Sequence, residues 1–577
     1  MKVKLVNENF SNNYLKNLLA ARGVRDLNEY LSPSPNVLLA PTCLDNIEAG
    51  RILLEQVIDS GGKILLIIDC DVDGFTSSAI IHNYIKMISP NTYIDYWLHE
   101  GKQHGLEDHY NNLMELGPYY DLIICPDSSS NDFIYHEKLR EIGSKVLVLD
   151  HHDIDGDKII SDNAIVINNQ LSENYTNKDL TGAGVTWQFC RYLDQKNNKH
   201  YSDDLIDLAA LGVCGDMGSV LSMENRYIMK NGFERVKNYF FKKAIEKQAY
   251  SMQNMINPTT VAFYIVPLMN AMIRVGSMDE KIRLFQGLID GHAMVPCGKR
   301  GAKGTMEEVA VESLRECGNA KSRQTRITDQ MVDSLEIKIH KHDLLENKIL
   351  FIRLDDDDDF PPEVTGLIAM KLAAKFKHPT LVTRINSEGF DRGSIRNVSD
   401  CELTDLKKFL NESGYFEYVQ GHPNAAGCSI KDSYLSDFHK YANEALKDID
   451  FNEGAYEVNF ERFALSNDLK DLILDLGEHP EIWGQNNSEA KIYISDINLV
   501  QNDIQVIGAK SDTLKFEKNG ITYIKFKATD MIEELRQHGD IKLNVIGKAN
   551  INNWMGRKTP QIMIEDYEVK DNSILEF

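Results

Sequence analysis

The sequence predicts an α/β protein that ends in a small β-barrel, and three observations carry that expectation. In the N-terminal half, short β-branched runs end abruptly in acid: Lys63-Ile-Leu-Leu-Ile-Ile-Asp69, Asp121-Leu-Ile-Ile-Cys-Pro-Asp127 and Lys145-Val-Leu-Val-Leu-Asp150. Amphipathic stretches of helical length, residues 77–87 and 133–142, separate such runs, which is the pattern of a parallel sheet covered by helices. After residue 453 the pattern changes to short alternating strands with Gly and Asn turns, at 491–499, 513–516, 523–528, 541–547 and 561–567, as in a barrel.

Two segments lie between these ends. Residues 307–347 are polar and charged, with Leu, Ile and Val three to four apart, and predict a long connecting helix or helix pair. A second α/β unit follows, with a strand at 349–354, an acidic loop, a helix at 364–376, a strand at 380–384, and then residues 393–427. The expected domains are residues 1–305, 306–347, 348–455 and 456–577. No internal repeat is visible.

A chain of 577 residues is too long for one hydrophobic core. Its 42% apolar and 26% charged content is ordinary for a globular protein. Its nine cysteines lack CxxC pairing, so neither a disulfide framework nor a zinc ribbon is indicated. No apolar run approaches the roughly 20 residues that cross a bilayer, and the first residues lack a signal-peptide core, so no membrane association and a cytoplasmic location are expected. The net charge of −24 weighs against a uniformly basic nucleic-acid surface. A local basic channel remains compatible with it, and carboxylates gathered to hold cations add to the total.

In open parallel sheets ligands gather at the carboxyl ends of the strands, where all three acidic clusters fall. Asp69-Cys-Asp71-Val-Asp73-Gly74 sets carboxylates at alternate positions, so Asp69 and Asp71 can point the same way. Asp127 leaves a second strand, Asp150-His151-His152 a third, and Asp216 in Leu211-Gly-Val-Cys-Gly-Asp216 is a fifth contributor. One Asp after a strand is ordinarily a turn former or helix cap. Acidic termini on successive strands joined to a His-His pair fit a bridged pair of Mn²⁺ or Mg²⁺ ions better than zinc.

These motifs resemble those of the DHH phosphoesterases, and further segments resemble the RecJ-like members. Such segments are Leu180-Thr-Gly-Ala-Gly-Val185, Asp216-Met-Gly-Ser-Val-Leu-Ser-Met-Glu224-Asn225-Arg226 and Pro267-Leu-Met-Asn270-Ala271-Met-Ile-Arg274. Gly393-Ser394-Ile-Arg396-Asn397 and Gly421-His422-Pro-Asn-Ala425-Ala426-Gly427 are similar to the two signatures of the DHHA1 domain. Trp483-Gly484-Gln485-Asn486 and Asn553-Trp554-Met-Gly556-Arg557-Lys558-Thr-Pro560-Gln561 resemble the ends of the RecJ oligonucleotide-binding barrel, an OB-fold. The resemblance implies a DHH catalytic domain, a connecting helix, a DHHA1 domain and an OB-fold. The chain departs from the family at Ser128-Ser129-Ser130, where a glycine is usual, and at Gln420, where a double glycine is usual. It departs again at Met217-Gly-Ser219 and in the loop at 355–359.

By resemblance, Asp69, Asp71, Asp127, His151 and Asp216 are the metal ligands, with Asp127 bridging. Asp73 and Asp150 orient them, and His152 lies by the scissile phosphate. Arg274, Ser394, Arg396 and His422 supply donors for phosphate. Lys102 and His104 occupy a stretch placed near a 5′ end, and Trp554, Arg557 and Lys558 suit base stacking and phosphate contact. The basic stretch Cys297-Gly-Lys299-Arg300-Gly-Ala-Lys303-Gly304 reads either as a contact to DNA backbone or as a linker. The implied activity is 5′ to 3′ digestion of single-stranded DNA by a monomer, with a helicase or single-strand-binding protein as a partner. Two other readings stay open: hydrolysis of oligoribonucleotides or cyclic dinucleotides, and a non-catalytic DNA-binding scaffold.

Overall fold

The computed structural model describes residues 1–101, 104–154, 161–302, 304–354, 364–554 and 557–570, without the side chains of 554 and 557. The chain divides into two compact units. One comprises residues 26–325 with 481–487, and the other residues 1–25, 326–480 and 488–577. The expected boundaries differ from this division, because the first 25 residues belong with the C-terminal unit. There the strand Lys2–Leu5 pairs in parallel with Ala455–Val458. The predicted connector is the single 33-residue helix Val309–Lys341, which runs from one unit into the other.

The first unit is built on a five-stranded parallel sheet in the order Ile94–Leu98, Ile64–Ile68, Leu122–Pro126, Lys145–Asp150, Ala164–Asn168. Strand Ile64–Ile68 and strand Leu122–Pro126 are buried at every position, which explains their unbroken apolar sequence: both sheet faces carry helices. Helices Val72–Ile88 and Gly182–Asn197 cover one face with Ile206–Gly215, around a core that includes Phe75, Trp187 and Phe189. The chain crosses from one side of the sheet to the other between Ile64–Ile68 and Leu122–Pro126. Such a switch point opens a crevice at the strand ends, and Asp69 and Asp127 are the next residues along those two strands. One apolar helical stretch, Pro258–Val275, breaks at Ile265 into Pro258–Tyr264 and Val266–Val275, and half of it is buried.

The second unit holds a mixed five-stranded sheet and a seven-stranded sheet. In the mixed sheet, strand Phe390–Arg396 lies between Thr380–Ile385 and Ala425–Lys431. A side chain at Gly393 would begin 2.0 Å from the Val382 carbonyl oxygen, so only glycine permits that pairing. The barrel strands are longer than expected. Asp540–Trp554 and Arg557–Lys570 pair from Lys542–Lys570 to Trp554–Arg557, with one register shift at Ile546/Gly547. The expected strand at 523–528 is Ile521–Lys525.

Ile124 is wholly buried in the strand that hydrogen-bonds on both sides. Ile124→Ala removes its methyl groups from a site that cannot collapse, and is expected to cost about 2–5 kcal/mol. Urea unfolding of the two proteins measures this directly.

Candidate metal centre

Sharp turns at the strand ends turn the acidic residues toward one another. Asp127 adopts φ +69° and Ser129 φ +78°, so Ser129 itself takes up the left-handed conformation for which a glycine is usual. Asp71 caps the helix Val72–Ile88, its Oδ1 accepting from the Gly74 amide at 3.0 Å. A Cβ at Gly74 would lie 2.6 Å from that of Asp69, which is why the acidic motif ends in glycine. Likewise a Cβ at Gly182 would lie 2.3 Å from Asp127 Oδ1, so the start of helix Gly182–Asn197 presses on Asp127.

The carboxylates fall into two groups by what satisfies them. Asp73 is fully buried and accepts from Thr181 Oγ1 at 2.9 Å, the Gly182 amide at 2.7 Å and the Ala183 amide at 3.1 Å. Asp150 accepts from the His151 amide at 2.7 Å, His152 Nδ1 at 2.8 Å and the Ser130 amide at 3.0 Å. Burial pushes the Asp150 carboxyl up, but the His152 hydrogen bond and charge outweigh it and hold the group below the usual range. Both are occupied and well suited to orient neighbours.

Asp69, Asp127 and Asp216 are different. Among the described residues, Asp69 Oδ1 and Asp127 Oδ1 are buried and accept no hydrogen bond. Burial lifts Asp69 to about 6 despite its bond to His104, and burial with neighbouring carboxylates lifts Asp216 to about 8. Burial, then Asp73, Asp71 and Asp69, raise Asp127 well above its ordinary value. His151 Nε2 lies 3.2 Å from Asp127 Oδ1 and 3.5 Å from Asp216 Oδ2, while burial lowers the pKa of its ring. One oxygen each of Asp69, Asp71 and Asp127 lies within 4.8 Å of the others, as do atoms of Asp73, His151 and Asp216. Converging carboxylate oxygens, two of them accepting no hydrogen bond among the described residues, beside an imidazole that burial keeps toward its neutral form, suit a hard divalent cation, so the donor set fits Mn²⁺ or Mg²⁺.

At the mouth of the cluster two imidazoles stand 6.4 Å apart, each with Nδ1 on a buried carboxylate: His152 on Asp150 and His104 on Asp69, the latter at 2.7 Å. Burial disfavours the charged form of His152, but Asp150 overcomes it and raises the ring to about 9. Sequence reading placed His104 near a chain end and missed its contact with Asp69. A signal was present, since Gly105-Leu106 follows it: Gly105 takes φ +75°, and the Leu106 amide bonds Asp132 Oδ2 at 2.7 Å, tying that loop to the one after Asp127. Thr181, Gly182 and Ser130 were also missed as donors and packing partners of the acids.

The residues expected to bind substrate are spread across both units. Arg274 lies on helix Val266–Val275 of the metal-bearing unit, where burial lowers its pKa and Asp71 raises it. Ser394, Arg396 and His422 lie on the mixed sheet of the other unit. Lys558 is half-exposed in an ion pair with Glu478 at 2.9 Å. Lys102, the loop at 355–359, and the side chains of Trp554 and Arg557 lie outside the described residues.

A carboxyl with a raised folded-state pKa binds its proton more tightly in the folded chain, so its contribution to stability falls as pH rises between the unfolded and folded values. For Asp69 and Asp216 that window runs from about 4 to about 6 and about 8. Chelator-treated protein is therefore expected to lose melting temperature from about pH 5 to about pH 8 relative to Asp216→Asn. Mn²⁺ should restore most at the alkaline end, because the ligands must be deprotonated. Parallel pH curves for the two proteins would contradict the assignment.

Comparison with known proteins shows the family of the chain. The model of the DHH family, N-terminal domain, matches residues 63–213, and that of the RecJ OB domain matches residues 466–566. A Bacillus subtilis protein with the provisional name SPbeta prophage-derived single-strand DNA-specific exonuclease YorK is 36% identical over 577 residues, covering 99% of this chain and 98% of the relative. The single-stranded-DNA-specific exonuclease RecJ of Bacillus subtilis is 25% identical over 540 residues, covering 90% and 63% respectively. The crystal structure of RecJ in complex with Mn²⁺ from Thermus thermophilus matches with a TM-score of 0.69 at 19% identity, covering 96% of this chain and 75% of that one. That likeness shows the shared fold. With a relative 36% identical over nearly its whole length, the chain belongs to the DHH family, in its RecJ group.

Proposed function

We propose that this chain is a divalent-metal-dependent exonuclease that digests single-stranded DNA from its 5′ end to 5′-mononucleotides, in recombination, repair or replication. The observation that carries this reading is the pair of buried carboxylate oxygens, Asp69 Oδ1 and Asp127 Oδ1, that accept no hydrogen bond among the described residues. Asp69, Asp71, Asp127, His151 and Asp216 would hold two Mn²⁺ or Mg²⁺ ions. Bound there, the ions supply Lewis acidity toward phosphate and water deprotonated at neutral pH. Asp73 and Asp150 fix the geometry of the ligands beside them. His152, anchored through Nδ1 and charged at neutral pH, directs Nε2 to the scissile phosphate as a donor. No covalent protein nucleophile is required.

Polarity is assigned to the mixed sheet of the second unit. Arg396 packs against the start of helix Thr365–Phe376 so closely that a Cβ at Gly366 would lie 2.5 Å from its Nη2. Thr365 Oγ1 and Ser394 Oγ are 3.1 Å apart in the same side-chain cluster. A guanidinium, two hydroxyls and a helix N-terminus make a seat for a phosphate. Arg396 also lines a cavity of about 680 Å³ with Arg22 and Lys491. Arg274 and His422 are proposed as further phosphate donors, and Lys102, Trp554, Arg557 and Lys558 as strand contacts. A monomer working in the cytoplasm, that of the host if the gene is viral, on strands exposed by a helicase or held by a single-strand-binding protein, fits this activity.

Asp127→Ala is expected to abolish cleavage while leaving single-strand affinity within a few-fold. Near-normal turnover at saturating Mn²⁺ would refute the ligand assignment. Digestion of end-labelled strands blocked at either end tests polarity, and a dinucleotide and a cyclic dinucleotide assayed alongside expose a different substrate class. Arg396→Ala is expected to lose most of the preference for 5′-phosphorylated over 5′-hydroxyl strands, a loss of about ten- to a hundredfold. An unchanged ratio, or a wild type indifferent to the 5′ group, sinks the phosphate seat.

A further inference from the structure

The glycine-flanked basic stretch at 297–304 caps a β-hairpin that the metal centre does not use. Met294–Pro296 and Met306–Glu308 pair antiparallel as a separate two-stranded sheet, with Met294 opposite Glu308 and Pro296 opposite Met306. A two-stranded hairpin by itself is marginal in water, and here its base is clamped from both sides. The Val309 amide bonds the Ala293 carbonyl at 2.8 Å, and the Ala310 amide that of Gly291 at 3.2 Å. Glu307 is held by Arg315 at 3.0 and 2.6 Å. Glu308 accepts from Tyr239 Oη at 2.5 Å and lies 2.9 Å from His292 Nδ1, whose ring stacks on Tyr239 at 3.8 Å. Glu312 accepts from the Gly298 amide at 3.1 Å and pairs with Arg315.

Each carboxylate at the base thus has a local donor, Glu307 and Glu312 sharing Arg315, and the tip carries Lys299 and Arg300. Lys299 and Arg300 are exposed, and among the described residues no carboxylate lies within ion-pair distance of either. Gly301 and Gly304 both take φ +88°, and a side chain at either would meet nothing within 4 Å, so the tip stands clear of the rest of the unit. Strand alternation and the cross-strand pairing put Met294, Pro296 and Met306 on one face, with Glu308 at its base bonded to Tyr239, and Met294 is 55% and Met306 53% exposed.

We propose that this hairpin is an arm that grips single-stranded DNA, its tip cations taking backbone phosphates and its Met294, Pro296 and Met306 face taking the flat surface of a base. Charge complementarity selects the occupant. In a chain of net charge −24, an exposed tip that carries Lys299 and Arg300 attracts a polyanion that the overall charge repels. Polarizable thioethers and a pyrrolidine ring beside the cations suit unstacked bases, which accept apolar side chains against their faces. An acidic protein segment would use the cations and leave the methionine face unexplained.

This assignment rests on the reading of the chain as a single-strand exonuclease, and the test separates the two. Full-length wild type, Lys299→Glu/Arg300→Glu and Met294→Ser/Met306→Ser are titrated with fluorescent long oligothymidylate in chelator over a range of salt. Turnover of a trinucleotide with Mn²⁺ is measured in parallel. Charge reversal is expected to weaken long-strand binding about tenfold and to reduce the slope of log affinity against log salt by about 1.4, for two phosphate contacts. The methionine variant should bind more weakly at unchanged slope. Trinucleotide turnover and melting temperature should stay at wild-type values, since the tip supports neither. Long-strand affinity and slope unchanged in both variants would overturn the arm, including the case in which it serves an acidic protein instead. Wild type that binds no single strand defeats the exonuclease reading itself.

Discussion

Like charges held together out of water are the constraint on which the metal-bearing unit depends. Two carboxylates about 4 Å apart repel by about 4 kcal/mol at an effective dielectric near 20, and here Asp69, Asp71, Asp73, Asp127 and Asp216 crowd the ends of adjacent strands. The fold handles them unequally. Asp73 and Asp150 are saturated with amide, hydroxyl and imidazole donors, whereas Asp69 and Asp127 each keep a buried oxygen that accepts no hydrogen bond among the described residues. Three donors on one buried aspartate, beside neighbouring oxygens that accept no hydrogen bond among the described residues, are the pattern of a site that holds those oxygens for cations.

The same inequality explains why glycines and strained turns gather there. Gly74 and Gly182 admit Asp69 and Asp127 to positions that a Cβ would block. Asp127 and Ser129 both occupy left-handed backbone, which costs a non-glycine residue about 1–2 kcal/mol each. Such strain persists only where surrounding structure fixes it. Here the Asp127 amide is tied to the Leu149 carbonyl at 2.8 Å, and the Ser130 amide to Asp150 at 3.0 Å.

Much of this centre was legible in the sequence because its parts are local. A strand ending in acid, carboxylates at the alternate positions Asp69 and Asp71, and a His-His pair after Asp150 each declare themselves within a few residues. What stayed hidden depends on distant segments. That Asp73 is held by Thr181 to Ala183, or that His104 leans on Asp69, follows from packing that no spacing rule encodes. The placement of residues 1–25 with the C-terminal unit likewise rests on pairings made across most of the chain, such as strand Lys2–Leu5 with Ala455–Val458, the Leu15 amide with Asp475 and Tyr14 with Phe460. The barrel strands were found but cut short, since Asn550, Asn552 and Asn553 read as turn residues while the Asp540–Trp554 pairing carries them through as strand. The acidic composition was informative in two opposite ways: part of it is the metal cluster itself, and the rest makes a locally cationic tip such as that at Lys299 and Arg300 stand out.

The central claim is that the carboxylates at the strand ends are a cation site rather than a set of caps. Crystals of the protein grown with Mn²⁺ and measured at the manganese absorption edge test it most directly. Anomalous peaks among Asp69, Asp71, Asp127, His151 and Asp216, lost in Asp127→Ala, are the predicted result. No anomalous density at that cluster under saturating Mn²⁺ would contradict it.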